Sequence, residues 1–193
     1  MTKVMNQPAF DFLAQRRSHP ATAFSGPVPD RAALLPILTA ALRVPDHGKL
    51  EPWRLLVLQA NAMPRLATLA DSYARGLGAD NEKIAKGRGM YDWGQLAIVV
   101  ISAPKPSDKV PVSEQVLSAG ALCMNIVNAA EAAGWGANWL SGWPSHDPAF
   151  ARAAFGCGAG ETVAGIIHIG TYATEAPDRP RPDLAKTIFW VDA

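Results

Sequence analysis

Hydrophobic residues recur at every third or fourth position in several segments of the chain, which is the spacing of a helix with one apolar face. The segments with this spacing are 7–17, 31–42, 62–76, 112–133 and 147–156. Asn6 and Asp30 stand just before the first two, and both are residue types that cap helix N-termini. The pattern therefore predicts four helices and a shorter fifth one that ends at Gly156.

The segment 112–133 differs from the others because it is apolar nearly all round before it stops at Gly134. A helix of this kind must be covered on every side. A chain of 193 residues has limited material for such a cover, so the pattern favours a dimer interface built on this helix. The charged share of only 18% points the same way, because the cores of subunit interfaces are depleted of charge.

Short apolar runs between these segments predict strands. The runs are 55–58, 96–101, 136–141 and 163–170, and the first two are expected to be buried. The result is an α+β protein with too few strands for a wide doubly wound sheet. The polar, glycine-punctuated stretch 76–92 is expected to be the least ordered part. The proline-rich tail from 175 ends in apolar residues and is expected to dock on its own domain or on a partner.

Length, charge and cysteine content set limits on the class of protein. A chain of 193 residues fits one domain. With 18 basic and 17 acidic residues the net charge is +1, which gives no field to attract nucleic acid or an acidic membrane. The two cysteines, Cys123 and Cys157, form no disulfide framework, and the N-terminus has no apolar core of a secretory signal. We therefore expect a cytoplasmic protein that binds neither nucleic acid nor membrane.

Three segments carry residue types that suit a ligand. The first is Arg16-Arg17-Ser18, whose two guanidinium groups and hydroxyl match a phosphate, although cations at a helix C-terminus also need no ligand. The second is 43–54, a loop rich in charge that could instead be a solvated surface turn. The third is 134–144, where three tryptophans among small residues fit a planar ring or a packed core strand.

Several enzyme classes find no support in the motifs. The chain has no G-x-G-x-x-G, no P-loop, no H-E-x-x-H and no zinc-like Cys/His spacing, so no metal site is predicted. It also lacks the G-x-S-x-G elbow of serine hydrolases. His168 lies in an apolar strand and is interpreted as a hydrogen-bonded core residue, and both cysteines are interpreted as packing residues.

Taken in order, these segments resemble the nitroreductase family, specifically its subgroup of small NAD(P)H nitroreductases. The matching stretches are Arg16–Ser18, 41–47, 51–53, 132–136, 138–142 and 165–171, and their order and spacing are more specific than any one of them. The resemblance implies a nitroreductase-like α+β fold over residues 1–193, with an antiparallel or mixed central sheet flanked by helices. It also implies a homodimer formed through the long central helices, with FMN at the interface.

The resemblance further implies which residues bind the flavin. Arg16, Arg17 and Ser18 would hold the phosphate and ribityl end from one chain, and Trp139, Leu140 and Ser141 would line the same site. Arg43 and His47 would reach that flavin from the other chain. Residues 129–134 would lie near the path of the nicotinamide. Two positions depart from the pattern, because Glu51 stands where many relatives have Asn or Gln, and Leu140 where close relatives have a cation.

The implied activity is FMN-dependent oxidation of NADH or NADPH, with nitro compounds, quinones or similar small molecules as acceptors. Donor and acceptor would use one pocket in turn, which predicts ping-pong kinetics, and the flavin N5 would carry the chemistry without a catalytic side chain. Two alternatives stay open: a flavin-dependent dehalogenase or dehydrogenase of a metabolite, and a non-enzymatic FMN-binding protein. The sequence does not distinguish NADH from NADPH.

Overall fold

The computed structural model describes residues 4–192, which form an α+β protein. The α-helices are α1 (Gln7–Gln15), α2 (Arg31–Ala41), α3 (Met63–Gly76), α4 (Asn81–Asp92), α5 (Val112–Ala132), α6 (Trp143–His146), α7 (Pro148–Phe155) and α8 (Leu184–Thr187). The strands are β1 (Phe24–Ser25), β2 (Trp53–Gln59), β3 (Leu96–Ser102), β4 (Gly136–Leu140) and β5 (Thr162–Tyr172). The five predicted helices and four predicted strands are confirmed within a few residues at each end.

All strand pairs of the sheet are antiparallel. The order is β1-β5-β3-β2, and β4 also pairs with β5. The strand β3 is buried along its whole length, as its apolar run predicts. The strand β2 lies at the edge, where Val57 is exposed, so the expectation that 55–58 is a buried strand is wrong. An apolar run does not reveal whether a strand has one neighbour or two.

Helices cover both faces of the sheet, and β3 supplies both cores. Ile98 and Val100 point to the face covered by α2 and α5. Val99 and Ile101 point to the face covered by α3, α4 and α7. This division follows from the alternation of side chains along a strand. No helix in the described part of the chain combines the length and the hydrophobicity that a membrane crossing requires.

The stretch 76–92 is not the least ordered part, because most of it forms α4. The carboxylate of Asp80 caps this helix by accepting a hydrogen bond from the Lys83 N–H at 2.7 Å. Gly87 and Gly89 lie inside this helix, and indole rings lie against both of them. A Cβ at Gly87 would be 2.3 Å from the ring of Trp143, and one at Gly89 would be 2.5 Å from the ring of Trp93. These glycines make room for tryptophans and do not break the helix.

Two apolar helix faces remain uncovered by residues 4–192. The predicted face of α1 carries Phe10 and Leu13, and both are exposed. On α5, one side is buried in the core, while Val112, Val116 and Leu117 are exposed. Residues 4–192 of one chain therefore do not cover α5 on all sides, as its apolar sequence would require.

The tail beyond residue 175 makes contact with its own domain in its first half. Asp178 lies 3.3 Å from Arg17, and Arg181 donates a hydrogen bond to the carbonyl of Ala14. Farther on, the residues of the apolar segment Ile188–Val191 are exposed. Docking of this last segment stays a prediction, and Ala193 lies outside the described residues.

An ion pair ties the edge strand β2 to the start of β5. The Arg54 guanidinium donates two hydrogen bonds to the carboxylate of Glu161, at 2.9 and 2.7 Å. These bonds, together with one from the Gly158 N–H, lower the pKa of Glu161 to about 2. We expect Glu161→Gln to reduce the free energy of unfolding at pH 7 by roughly 1–2 kcal/mol, a value discounted for the partial exposure of the pair.

The pH dependence of this loss follows from the lowered pKa. The carboxylate stabilises the fold above its unfolded pKa of roughly 4.3, and this stabilisation disappears as the pH falls through about 2. Urea unfolding of both proteins from pH 7 to pH 2 checks this. The difference between wild type and variant should shrink below pH 4, and a difference that stayed constant would contradict the assignment.

Candidate functional site

The main cleft of interest lies between the end of α1, the end of β4 and the tail. Its volume is about 670 Å³, within the range of roughly 300–1,000 Å³ that is usual for small-molecule sites. Its lining residues are Arg16, Arg17, Ser18, Pro20, Ala21, Thr22, Trp93, Asn138, Trp139, Leu140, Ala176, Pro177 and Arg179. The structure thus brings together two predicted segments that are 120 residues apart in the sequence.

The cationic end of the cleft is formed just after α1, which ends at Gln15 and not at residue 17. The side chain of Arg16 is mostly buried, and its Nε donates a hydrogen bond to the side-chain amide oxygen Oδ1 of Asn128 at 2.8 Å. Arg17 lies 3.3 Å from the exposed Asp178 of the tail. Two guanidinium groups beside the hydroxyl of Ser18 can hold a phosphate through charge-assisted hydrogen bonds.

Another part of the cleft wall is the indole of Trp139, which is 40% exposed. Its ring lies directly against the backbone of β5 at Gly165, where a Cβ would be 2.1 Å from the indole nitrogen. Glycine at this position therefore allows the ring to lie against the sheet. One side of a large aromatic ring is held in place while the cleft remains open, which suits a planar ligand.

Leu140 and Ser141 continue this wall into a second pocket of about 560 Å³. Leu140 and Trp93 line both pockets, while Ser141 lines only the second one, together with residues of α4 and Trp143. Trp93 was not among the predicted site residues, since it directly follows the stretch 76–92, for which little order was expected. Its position next to a buried strand was a usable signal, since loops that follow or precede strands often bind ligands.

The other two predicted residues do not line this cleft. His47 lines a separate pocket of about 350 Å³ at the start of α5, and its Nδ1 lies 2.9 Å from the Glu114 carboxylate. Arg43 follows α2, and its carbonyl accepts a hydrogen bond from Asn125 at 3.3 Å. Within one chain, the predicted flavin-binding residues thus lie in separate regions, with Arg16, Arg17, Ser18, Trp139 and Leu140 at the cleft and His47 at the start of α5. The predicted role of Arg43 and His47 requires a second chain.

The loop that carries His47 is held by Asp46. Its carboxylate accepts hydrogen bonds from the N–H groups of Leu50 and Glu51, at 3.0 and 2.9 Å. Glu51 has a positive φ of 47°, an uncommon backbone conformation for a residue other than glycine. Glu51, which stands where many relatives have Asn or Gln, therefore lies in a hydrogen-bonded turn just before β2.

A buried acid lies behind the cationic end of the cleft. Glu131 is the last but one residue of α5, and its carboxylate is 3.5 Å from the Arg16 guanidinium. Burial raises the pKa of Glu131 to about 7, and the charge of Arg16 opposes this rise. The segment 129–134 was predicted to lie near the nicotinamide, and the acidic residue within it faces Arg16.

The remaining titratable core residues do not form a catalytic group. His168 is fully buried, as predicted, and the Met90 backbone is the hydrogen-bonding group that acts on its ring. Burial lowers its pKa to about 4. Burial raises the pKa of the Cys123 thiol to about 12. In the part of the chain that the structure describes, no group of three His, Cys, Asp or Glu side chains could hold a metal ion.

Comparison with known proteins gives one consistent answer. The model of the nitroreductase family matches residues 13–171. An Escherichia coli K12 protein named "Putative NAD(P)H nitroreductase YdjA" is 34% identical over 184 residues, which cover 94% of this chain and 99% of the relative. A Haemophilus influenzae protein named "Putative NAD(P)H nitroreductase" is 33% identical over 164 residues, which cover 84% and 88%.

Solved structures agree on the fold. A nitroreductase-like family protein from Bacillus cereus has a TM-score of 0.80 at 22% identity, with 100% of both chains covered. A Bacteroides fragilis nitroreductase with bound FMN has a TM-score of 0.70 at 19% identity, covering 95% of this chain and 98% of that one. At these identities the likeness shows the fold alone.

Proposed function

The chain belongs to the nitroreductase family, and from this premise we propose that it is an FMN-dependent NAD(P)H oxidoreductase that reduces nitro compounds, quinones or similar small acceptors. The observation that carries the proposal is one cleft lined by Arg16, Arg17 and the indole of Trp139, which lies against Gly165. The names of the E. coli and H. influenzae relatives and the FMN bound to the B. fragilis protein support it.

The residues of the cleft fit the parts of FMN. Arg16, Arg17 and Ser18 offer the charge and hydrogen bonds that a phosphate dianion requires. The exposed side of Trp139 offers a flat apolar surface for a ring system, and the volume of about 670 Å³ is sufficient for a cofactor of this size. Leu140 stands where close relatives have a cation, so Arg16, Arg17 and Arg179 are the charged residues among the described residues that line the cleft.

When bound, FMN supplies the hydride chemistry. The described residues of this chain bind and orient it, and they exclude water from one side of the ring. A general base is not required for hydride transfer, which agrees with the deep burial of His168 and Cys123. The nicotinamide and the acceptor would enter the cleft in turn.

We further propose that the protein is a homodimer in which α5 packs against α5 of a second chain. A continuous stripe on α5 supports this, since Leu117, Ala121, Met124 and Asn128 follow at helical spacing and none is buried within one chain. Gly120 lies beside the stripe, and nothing in the described chain lies within 4 Å of the place where its Cβ would be. Small residues at a helix crossing let two backbones approach closely.

A two-fold axis near Ala121 and perpendicular to α5 would use the same surface of both chains and make the two α5 helices antiparallel. The start of one helix would then lie beside the end of the other. His47 contacts Glu114 at the start of α5, and Arg16 contacts Asn128 near its end. Such packing would bring the His47 loop of one chain towards the arginine cleft of the other, which gives Arg43 and His47 their predicted place.

The substitution Leu117→Arg tests the dimer. Leu117 is 72% exposed and lies in the middle of the proposed interface. A charge buried there without a partner costs several kcal/mol, so dimerisation should weaken by roughly 100-fold or more and FMN should be lost with it. The matched control is Leu77→Arg, because Leu77 is 60% exposed but follows α3, away from α5.

Light scattering and flavin absorbance of the purified variants give the answer. Wild type and Leu77→Arg should be dimers with equal flavin content, and Leu117→Arg should be a monomer without flavin. A monomeric Leu117→Arg protein that keeps its FMN would show that one chain is sufficient for binding.

Steady-state kinetics test the activity. NADH or NADPH is varied at several fixed concentrations of a quinone or a nitroaromatic compound. Parallel lines in double-reciprocal plots are expected, because donor and acceptor occupy the same pocket in turn. Turnover of halogenated or saturated metabolites, with no turnover of quinones and nitro compounds, would instead favour the dehalogenase or dehydrogenase alternative.

We place the enzyme in the cytoplasm, a proposal supported by two free, buried cysteines, Cys123 and Cys157. Fractionation of cells that express the protein checks this, and recovery from a periplasmic or secreted fraction would contradict it.

A further inference from the structure

Glu131 occupies an unusual place for an acid. Its side chain is only 8% exposed, and neither carboxylate oxygen has a hydrogen-bond partner in the described part of the chain. It also lies in the last turn of α5, where the negative end of the helix dipole disfavours a carboxylate. An ionised group in such a position is costly unless an opposite charge is close.

That opposite charge is Arg16. The residues Asn128 and Glu131 are one helical turn apart on α5, and both face its guanidinium, at 2.8 and 3.5 Å. Arg16 therefore connects the core helix to the cleft, because the same side chain lines the proposed phosphate site.

The other charged groups nearby belong to the cleft and the tail. Arg17 and Arg181 line a small pocket with Arg16 and Asn128. The carboxylate of Asp178 lies 3.3 Å from Arg17 and 3.6 Å from Arg181. The strands packed against this end of α5 contribute apolar side chains to the shared core. Arg16 is thus the charge that acts directly on Glu131.

We propose that Glu131 is a positioning residue for Arg16, and that its carboxyl takes up a proton when the phosphate of FMN binds to Arg16. This inference rests on the proposed function. Before binding, one guanidinium balances one buried carboxylate. A phosphate dianion that binds to Arg16 adds negative charge and draws the guanidinium towards the cleft, so the ionised form of Glu131 loses its partner. Protonation removes this conflict.

The pH dependence has a definite sign. Burial holds the pKa of Glu131 near 7 in the free protein, and the bound phosphate raises this pKa further. Proton uptake therefore accompanies binding at pH values above about 7, and the affinity for FMN falls as the pH rises there, by at most about tenfold per pH unit for one proton. The phosphate itself has its second pKa at about 6, so it stays a dianion in this range.

Calorimetric titration of the flavin-free full-length protein with FMN at pH 8 tests the proposal. Each titration is run in two buffers with different enthalpies of ionisation, which gives the number of protons taken up. The proteins are wild type, Glu131→Gln and the control Asp71→Asn, which alters a carboxylate paired with an arginine, Arg75, outside the cleft. Riboflavin, which lacks the phosphate, is the control ligand.

Wild type and Asp71→Asn should take up a substantial fraction of a proton with FMN and almost none with riboflavin. Glu131→Gln should take up almost none with FMN and should show a flatter pH dependence of affinity. FMN binding without uptake in the wild type, or with equal uptake in Glu131→Gln, overturns the inference while the proposed function stands. Should Glu131→Gln fail to fold, equal uptake with FMN and riboflavin in the wild type overturns it. Failure of every protein to bind FMN overturns the proposed function itself.

Discussion

Replacing Phe150 with alanine is expected to lower the free energy of unfolding by about 3–5 kcal/mol. Phe150 is fully buried in α7, and its ring lies 5.5 Å from that of Tyr73, 5.1 Å from Trp143 and 6.3 Å from Phe155. Its removal takes away both the apolar burial and the edge contacts of these rings. Trp143 also lines the pocket next to the cleft, so this cluster supports the wall of the candidate site.

Urea unfolding of the flavin-free protein at a fixed protein concentration measures this loss, because ligand and subunit binding both change apparent stability. The control is Phe150→Leu, which keeps most of the volume and should cost less than the alanine variant. A loss below about 1 kcal/mol for Phe150→Ala would mean that the cluster is not packed as described.

Replacing Arg16 with alanine is expected to weaken FMN binding by roughly 1.5–3 kcal/mol, which is about 10- to 150-fold. The reason is the loss of a charged hydrogen bond to the phosphate from a guanidinium that Asn128 already orients. Riboflavin has no phosphate, so its affinity should change little. The effect on FMN alone therefore reports on the phosphate end of the cleft.

Quenching of flavin fluorescence during titration gives both affinities. Arg75→Ala is the control, since Arg75 is an exposed arginine that pairs with Asp71 on α3 outside the cleft. Unchanged FMN affinity in Arg16→Ala, or equal losses for FMN and riboflavin, would remove Arg16 from the phosphate site.

The sequence predicts most of the fold because local patterns and long-range packing agree there. The run 96–101 has only apolar side chains, and β3 is buried on both faces. The helix cap at Asp30 is also local, and its carboxylate accepts a hydrogen bond from the Ala33 N–H at 2.8 Å. Such features depend on residues that are close in the chain, so periodicity and residue type are sufficient to find them.

The errors arise where distant residues decide. Gly87 and Gly89 lower the helix propensity of α4, and only the packing of Trp143 and Trp93 against them explains their presence. The burial of β2 depends on its having a single neighbour, β3, which the run 55–58 cannot reveal. In both cases the structure depends on a contact between segments that are distant in the sequence, and the periodicity of a single segment does not reveal such a contact.

The candidate site shows the same division. The resemblance places Arg16–Ser18 and Trp139 in one site, and the structure brings them into one cleft, although their role in binding stays a prediction. Arg43 and His47 do not reach that cleft within one chain. Glu131 gave no signal in the sequence, because its importance comes from burial beside Arg16 and not from its residue type or spacing.

The most direct test of the proposed function is an absorption spectrum of the purified protein before and after NADH or NADPH is added without oxygen. We expect flavin bands that bleach on addition of at least one of the two donors and return when a quinone or a nitro compound is added. Flavin bands that persist with both donors would contradict the oxidoreductase and favour a protein that only binds FMN. The absence of flavin bands, even after incubation with FMN, would contradict the assignment of the cofactor.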